Sequence, residues 1–213
     1  GKNTDAEITL SGSADLTGYE AFIGSKKFVS ATLNMTAGIL KTSTHLSVGS
    51  SGTGVLTHTG GTVSVNGTLH VARYSSSTGT YTLNGGTLKS TTVSKGDGSS
   101  TITYTSGTVE VGTFTDNTVN GGTTIISKAS TTVSGNFTNS SGTLKIGIQS
   151  NTASDLFTVN STLTAGGTLE ITLDDSYMPP TENYYSWNVL DWGTLSGTFT
   201  TVTLPALTSG LAW

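Results

Sequence analysis

The chain has 213 residues, 9 Lys+Arg against 13 Asp+Glu, a net charge of −4 and no Cys. Thr (44), Ser (29) and Gly (28) fill nearly half of it, and only 10% of residues are charged. This excludes a long solvated helix or coiled coil, a nucleic-acid partner for want of a basic cluster, a helical membrane span, and disulfide, zinc–thiolate or thiol chemistry.

No charged-then-apolar leader opens the chain at Gly1, which implies that any signal peptide has been removed or was never part of this sequence. The first alternating stretch, AEITLSG at 6–12, reads as a strand. From there one unit recurs: an alternating run, a small residue with Gly, and a second alternating run. It reads LNMTAGILKT at 33–42, LTHTGGTVSV at 56–65, YTLNGGTLKS at 81–90, ITYTSGTVEV at 102–111 and FTNSSGTLKI at 137–146. A looser copy, TLTAGGTLEI, lies at 162–171. The aligned glycines are Gly38, Gly61, Gly86, Gly107, Gly142 and Gly167, with separations of 23, 25, 21, 35 and 25. The long gap holds a degenerate unit around Gly121 and Gly122.

Within each unit, apolar residues alternate with Thr and Ser, so each run is a strand with one buried face. Leu56, Val63, Leu88, Val109 and Leu144 fall on that face, and Ser90 breaks the pattern. A propeller blade is about twice this repeat length. The spacing therefore predicts a right-handed parallel β-helix (β-solenoid) of about eight coils over residues 1–173, each coil about 4.8 Å from the next. Residues 174–213 differ. They hold all three Pro and all three Trp, and read as a closing segment that caps the solenoid or serves assembly.

The unit GTYTLNGGTL at 79–88 resembles a repeat of bacterial secreted β-solenoid proteins of the autotransporter-passenger and PEP-CTERM-associated type. So do SDLFTVNSTLTAGGTLEITL at 154–173, WNVLDWGTLSGTF at 187–199 and LPALTSGLAW at 204–213, in the order seen near the C-terminus of such proteins. The resemblance implies an extracellular or cell-surface location and supplies no active site. Members of that family continue past the final Trp, so the stop at Trp213 implies a processed or truncated end.

The residues themselves offer little chemistry. Lyases and hydrolases built on β-helices need clustered carboxylates with a Lys or Arg base, and Arg73 is the only Arg. Asp174-Asp175 and the GDG at 96–98 read as turns rather than calcium ligands. His58 aligns with Leu83 and Tyr104 and is expected to point inward. His45 and His70 fall in neighbouring units at different phases of the alternation and are expected to be structural. The reading is of a non-enzyme with no catalytic residue, cofactor or metal. Rows of outward Thr admit ice binding as a distant alternative, against the plainer view that Thr is the default exposed strand former.

The function expected is an extracellular structural protein, a filament or surface-layer subunit that self-associates head to tail. The residues expected at the contact are Ile8 and Leu10 at one end and Trp187, Trp192 and Trp213 at the other. A charge split, +2 over 1–145 and −6 over 146–213, favours that polarity. Folding back of the aromatic segment onto its own solenoid is the competing arrangement. An adhesin or a module for a cell-surface glycan is the alternative function.

Overall fold

The computed structural model describes residues 5–127, 129–174, 177–180, 184–207 and 212–213. Alternation of small polar and apolar residues, broken by glycine corners, makes strands that wind rather than fold back. The first turn is β1 (Ala6–Leu10) and β2 (Asp15–Ile23); the second is β3 (Ser30–Met35) and β4 (Ile39–Val48); the third is β5 (Thr53–His58) and β6 (Thr62–Val71). In the next two turns one strand runs through the corner, giving β7 (Thr78–Lys95) and β8 (Ser99–Phe114). Short strands follow: β9 (Thr118–Asn120), β10 (Thr124–Ile126), β11 (Ser130–Val133) and β12 (Phe137–Asn139). The stack ends with β13 (Thr143–Ser150), β14 (Ala153–Ser154), β15 (Leu156–Ala165), β16 (Thr168–Leu173), β17 (Leu190–Gly197) and β18 (Thr201–Thr203).

Each strand pairs in parallel with its counterpart one turn away, and only β13–β14 is antiparallel among the described strands. The result is an all-β parallel solenoid of about seven turns, close to the eight expected, with no helix among the described residues. The unit around Gly121 and Gly122 forms one shortened turn. Val109 pairs with Ile125 and Ile125 with Leu144, steps of 16 and 19 residues.

The core is three ladders, one per side. The first runs Ile8, Leu33, Leu56, Tyr81, Ile102. The second runs Leu16, Leu40, Val63, Leu88, Val109, Ile125, Leu144, Leu169, Val202. The third runs Ala21, Leu46, Leu69, Val93, Phe114, Val133, Val159, Trp192. Leu56, Val63, Leu88, Val109 and Leu144 are fully buried, as the alternation predicts. Ser90 is buried too, and its hydroxyl donates to the Gly67 and Thr92 carbonyls, which removes the penalty of a polar atom there.

A second row on the first side changes character along the stack: Met35, His58, Leu83, Tyr104, Asn120, Asn139. Both Asn are fully buried. The Asn120 amide donates to Asn139 Oδ1 at 2.8 Å, and the Asn139 amide donates to the Gly166 carbonyl at 2.8 Å. Asn120 Oδ1 accepts from the Thr123 amide and hydroxyl. These bonds let two amides sit where the other turns carry apolar groups.

Candidate functional site

Interior rungs of the three ladders are covered by the turns on either side; the outermost rungs are covered on one side only. Ile8 and Leu16 at the β1–β2 end, and Trp192, Leu195 and Val202 at the β17–β18 end, are each between 41% and 59% exposed. Leu195 continues the first ladder through Leu163, Trp192 the third and Val202 the second. The two ends therefore present the same three-sided cross-section in the same order. At the β1–β2 end, Gly18 stands where the next turns carry Thr42 and Val65. The missing side chain contributes to a concavity of 230 Å³ lined by Leu16, Gly18, Glu20, Ala21, Leu40 and Thr42. The opposite end offers the large side chain, Trp192.

The five residues expected at an assembly contact are placed as follows. Ile8 is an exposed outer rung, whereas Leu10 is buried in the core. Trp192 is the outer rung of the third ladder. Trp187 and Trp213 lie beside each other, ring centroids 6.5 Å apart, with Tyr185 6.1 Å from Trp187. The Trp187 indole N–H donates to the Ser150 carbonyl at 2.8 Å and that of Trp213 to the Pro205 carbonyl at 2.7 Å. These rings, with Pro179, Pro180 and Tyr184, line a cleft of 370 Å³ beside the stack. Leu16, Leu195 and Val202 were not singled out from sequence. Val202 follows Leu169 by 33 residues, too long a step for the repeat to index.

The charge split along the sequence does not carry to the ends. The described part of the first turn bears Asp5, Glu7, Asp15 and Glu20 and no Lys or Arg. Asp191 stands on β17. Both ends are acidic, and charge opposes their contact instead of favouring it.

His58 is buried, with Nδ1 3.1 Å from the Tyr81 hydroxyl and Nε2 3.3 Å from the Gly61 carbonyl. Burial holds its pKa below the usual value. His45 and His70 are not at different phases. His45 pairs with Thr68 and Ser47 with His70, so the two are one full alternation apart on the same outward face, rings 5.5 Å apart. Burial, then Arg73 and His45, lower the His70 pKa to about 4. No three His, Asp or Glu converge as metal ligands among the described residues. Asp175 of the acidic pair lies outside the described residues, and Asp97 is an exposed loop residue.

The Thr rows are in register. Thr62, Thr87, Thr108, Thr124, Thr143, Thr168 and Thr201 follow one another without a break. The outward side of β3, β5 and the first halves of β7 and β8 carries Ser30, Thr32 and Asn34, then Thr53, Val55 and Thr57, then Thr78, Thr80 and Thr82, then Ser99, Thr101 and Thr103. No charge interrupts that array.

Compared with known proteins, the chain matches no family model, no curated protein and no solved structure.

Proposed function

We propose that this chain is a non-enzymatic extracellular structural protein whose solenoids stack head to tail. The observation that carries the reading is the pair of matching ends. Leu195, Val202 and Trp192 of one copy continue the ladders that begin at Ile8, Leu16 and Ala21 of the next. Trp192 meets the concavity left by Gly18. Such a contact is heterologous and propagates when it does not close, and strand edges β1 and β17 supply backbone pairing. The resemblance to autotransporter-passenger and PEP-CTERM-associated repeats supports the extracellular location. Because both ends are acidic, association strengthens as salt rises.

Sedimentation across protein concentration at low and high NaCl, with negative-stain microscopy, tests this. The expected result is concentration-dependent growth, promoted by salt and abolished by Trp192→Asp or Leu16→Glu. A single species of 21.7 kDa under all conditions removes the reading.

A second reading, ice binding, is favoured by the uncharged hydroxyl array on the first side. Its rows repeat at about 4.8 Å between turns and about 6.6 Å along a strand, a flat lattice of the kind that orders water. Thermal hysteresis that disappears in Thr80→Lys would favour it; no hysteresis would eliminate it.

A further inference from the structure

The corner joining the third side to the first is built from loops of unequal length. In the first turn it is residues 24–29 (GSKKFV), in the second 49–52 (GSSG), in the third 72–77 (ARYSSS). These loops stack directly. The Arg73 amide donates to the Gly49 carbonyl, and the Thr78 amide donates to the Gly52 carbonyl. A Cβ at Gly52 would strike the Lys26 carbonyl. Gly49, Ser50 and Gly52 are buried, so the middle loop is recessed between its neighbours. On either side stand Lys26, Lys27 and Phe28, and Arg73 and Tyr74. The two groups are two turns apart, about 10 Å.

Both groups have the same composition, a cation over an aromatic ring. Lys27 Nζ is 5.0 Å from the Phe28 centroid and Arg73 Cζ is 5.4 Å from that of Tyr74. Phe28 is 82% exposed and Tyr74 50%. Phe28 also has φ of 62°, and Ala72, next to Arg73, has φ of 58°. Gly24 and Gly49 take the corner position equivalent to Ala72. A left-handed backbone at an exposed Phe works against folding twice, through strain and through uncovered apolar surface. Among the described residues, Lys26, Lys27 and Arg73 have no carboxylate partner, whereas Lys89 and Lys145 are paired with Glu110 and Glu170. The nearest carboxylates along this corner are Asp97 and Asp116, and Asp116 accepts from the Lys95 amide and the Thr115 hydroxyl. Sequence shows no basic cluster; the winding of the chain assembles this one.

We propose that this corner binds a carboxylate-bearing polysaccharide, Phe28 and Tyr74 stacking on the flat faces of its sugars while Lys26, Lys27 and Arg73 take its carboxylates. Exposed rings suit pyranose faces, unpaired cations suit the acid groups, and repetition of the same pair along the solenoid axis suits a repeating polymer. This goes beyond the assembly reading and uses different residues.

The test is affinity electrophoresis of the full chain in polygalacturonate, in methyl-esterified polygalacturonate and in poly-glutamate, with sedimentation run in parallel. Binding is expected to polygalacturonate, weaker by about tenfold on esterification, and absent to poly-glutamate. Tyr74→Ala and the triple variant Lys26→Gln, Lys27→Gln, Arg73→Gln are each expected to lose about tenfold or more in affinity. Phe28→Gly is expected to raise the melting temperature while lowering affinity, which separates a lost contact from a lost fold. The proposal is overturned by no binding to polygalacturonate, by equal binding to poly-glutamate, or by unchanged affinity in Phe28→Gly and Tyr74→Ala. It is also overturned if the triple variant alters sedimentation instead of polysaccharide binding, since the corner would then be a contact between copies.

Discussion

At the scale of single residues, the interior tolerates polarity only where a partner is built in. Leu88 touches ladder neighbours above and below and has none for a charge. Leu88→Asp is expected to cost about 4 kcal/mol or more, read as a fall in the denaturant midpoint; a midpoint equal to the parent's would mean the register is wrong. Histidine sets the response to acid. His58 and His70 both titrate below the usual value, His70 at about 4. Between pH 6.5 and 4 the unfolded chain therefore binds more protons than the folded one. The stability is fully present above pH 6.5, falls as the pH drops towards 4, and for His70 stops falling below that. The groups facing His70 are His45 and Arg73. Melting temperature measured from pH 7.5 to 4 is expected to decline less steeply in His70→Gln than in the parent. Equal slopes would assign the decline to other groups.

At the scale of the element, the corner glycines are what turn a strand into a coil. Gly61 has φ of 78°, and a Cβ there would lie 2.4 Å from the Gly38 carbonyl oxygen one turn above. Gly12 has φ of 63° but nothing within 4 Å of its Cβ. Gly12→Ala is expected to cost about 1 kcal/mol from the backbone alone. Gly61→Ala should cost about 2–4 kcal/mol because the turn above must also move. Thermal melts of the two variants check the difference. These corners are also why the fold is legible in sequence. A Gly two residues before one inward rung and five after another indexes every turn that keeps a spacing near 23. Where the turns shorten to steps of 16 and 19 residues, the strands fall to three residues, too few for alternation to register. The 33-residue step into β18 hides the outer rungs Leu195 and Val202 for the opposite reason. The cation–aromatic corner is illegible because its parts lie 45 or so residues apart, at Lys27–Phe28 and Arg73–Tyr74, and only the winding brings them together.

At the scale of the whole molecule, a solenoid of near-identical rungs has a hazard that a unique core does not. A strand that pairs one turn too far still finds Leu on Val and Thr on Thr, so a slipped chain would be nearly as well packed as the native one. The pair Asn120–Asn139 breaks that degeneracy. Only in the native frame does each buried amide meet the other and the Gly166 carbonyl; moved by one turn, Asn120 would face Tyr104 or Leu83 with its donors unmet, at about 1–3 kcal/mol. Replacing both by Leu is expected to cost less than the sum of the two single changes, yet to make refolding from denaturant multiphasic. A single-exponential recovery identical to the parent's would count against the role. The two amides act as an index mark in the middle of the thread, against which the turns wound before and after are counted.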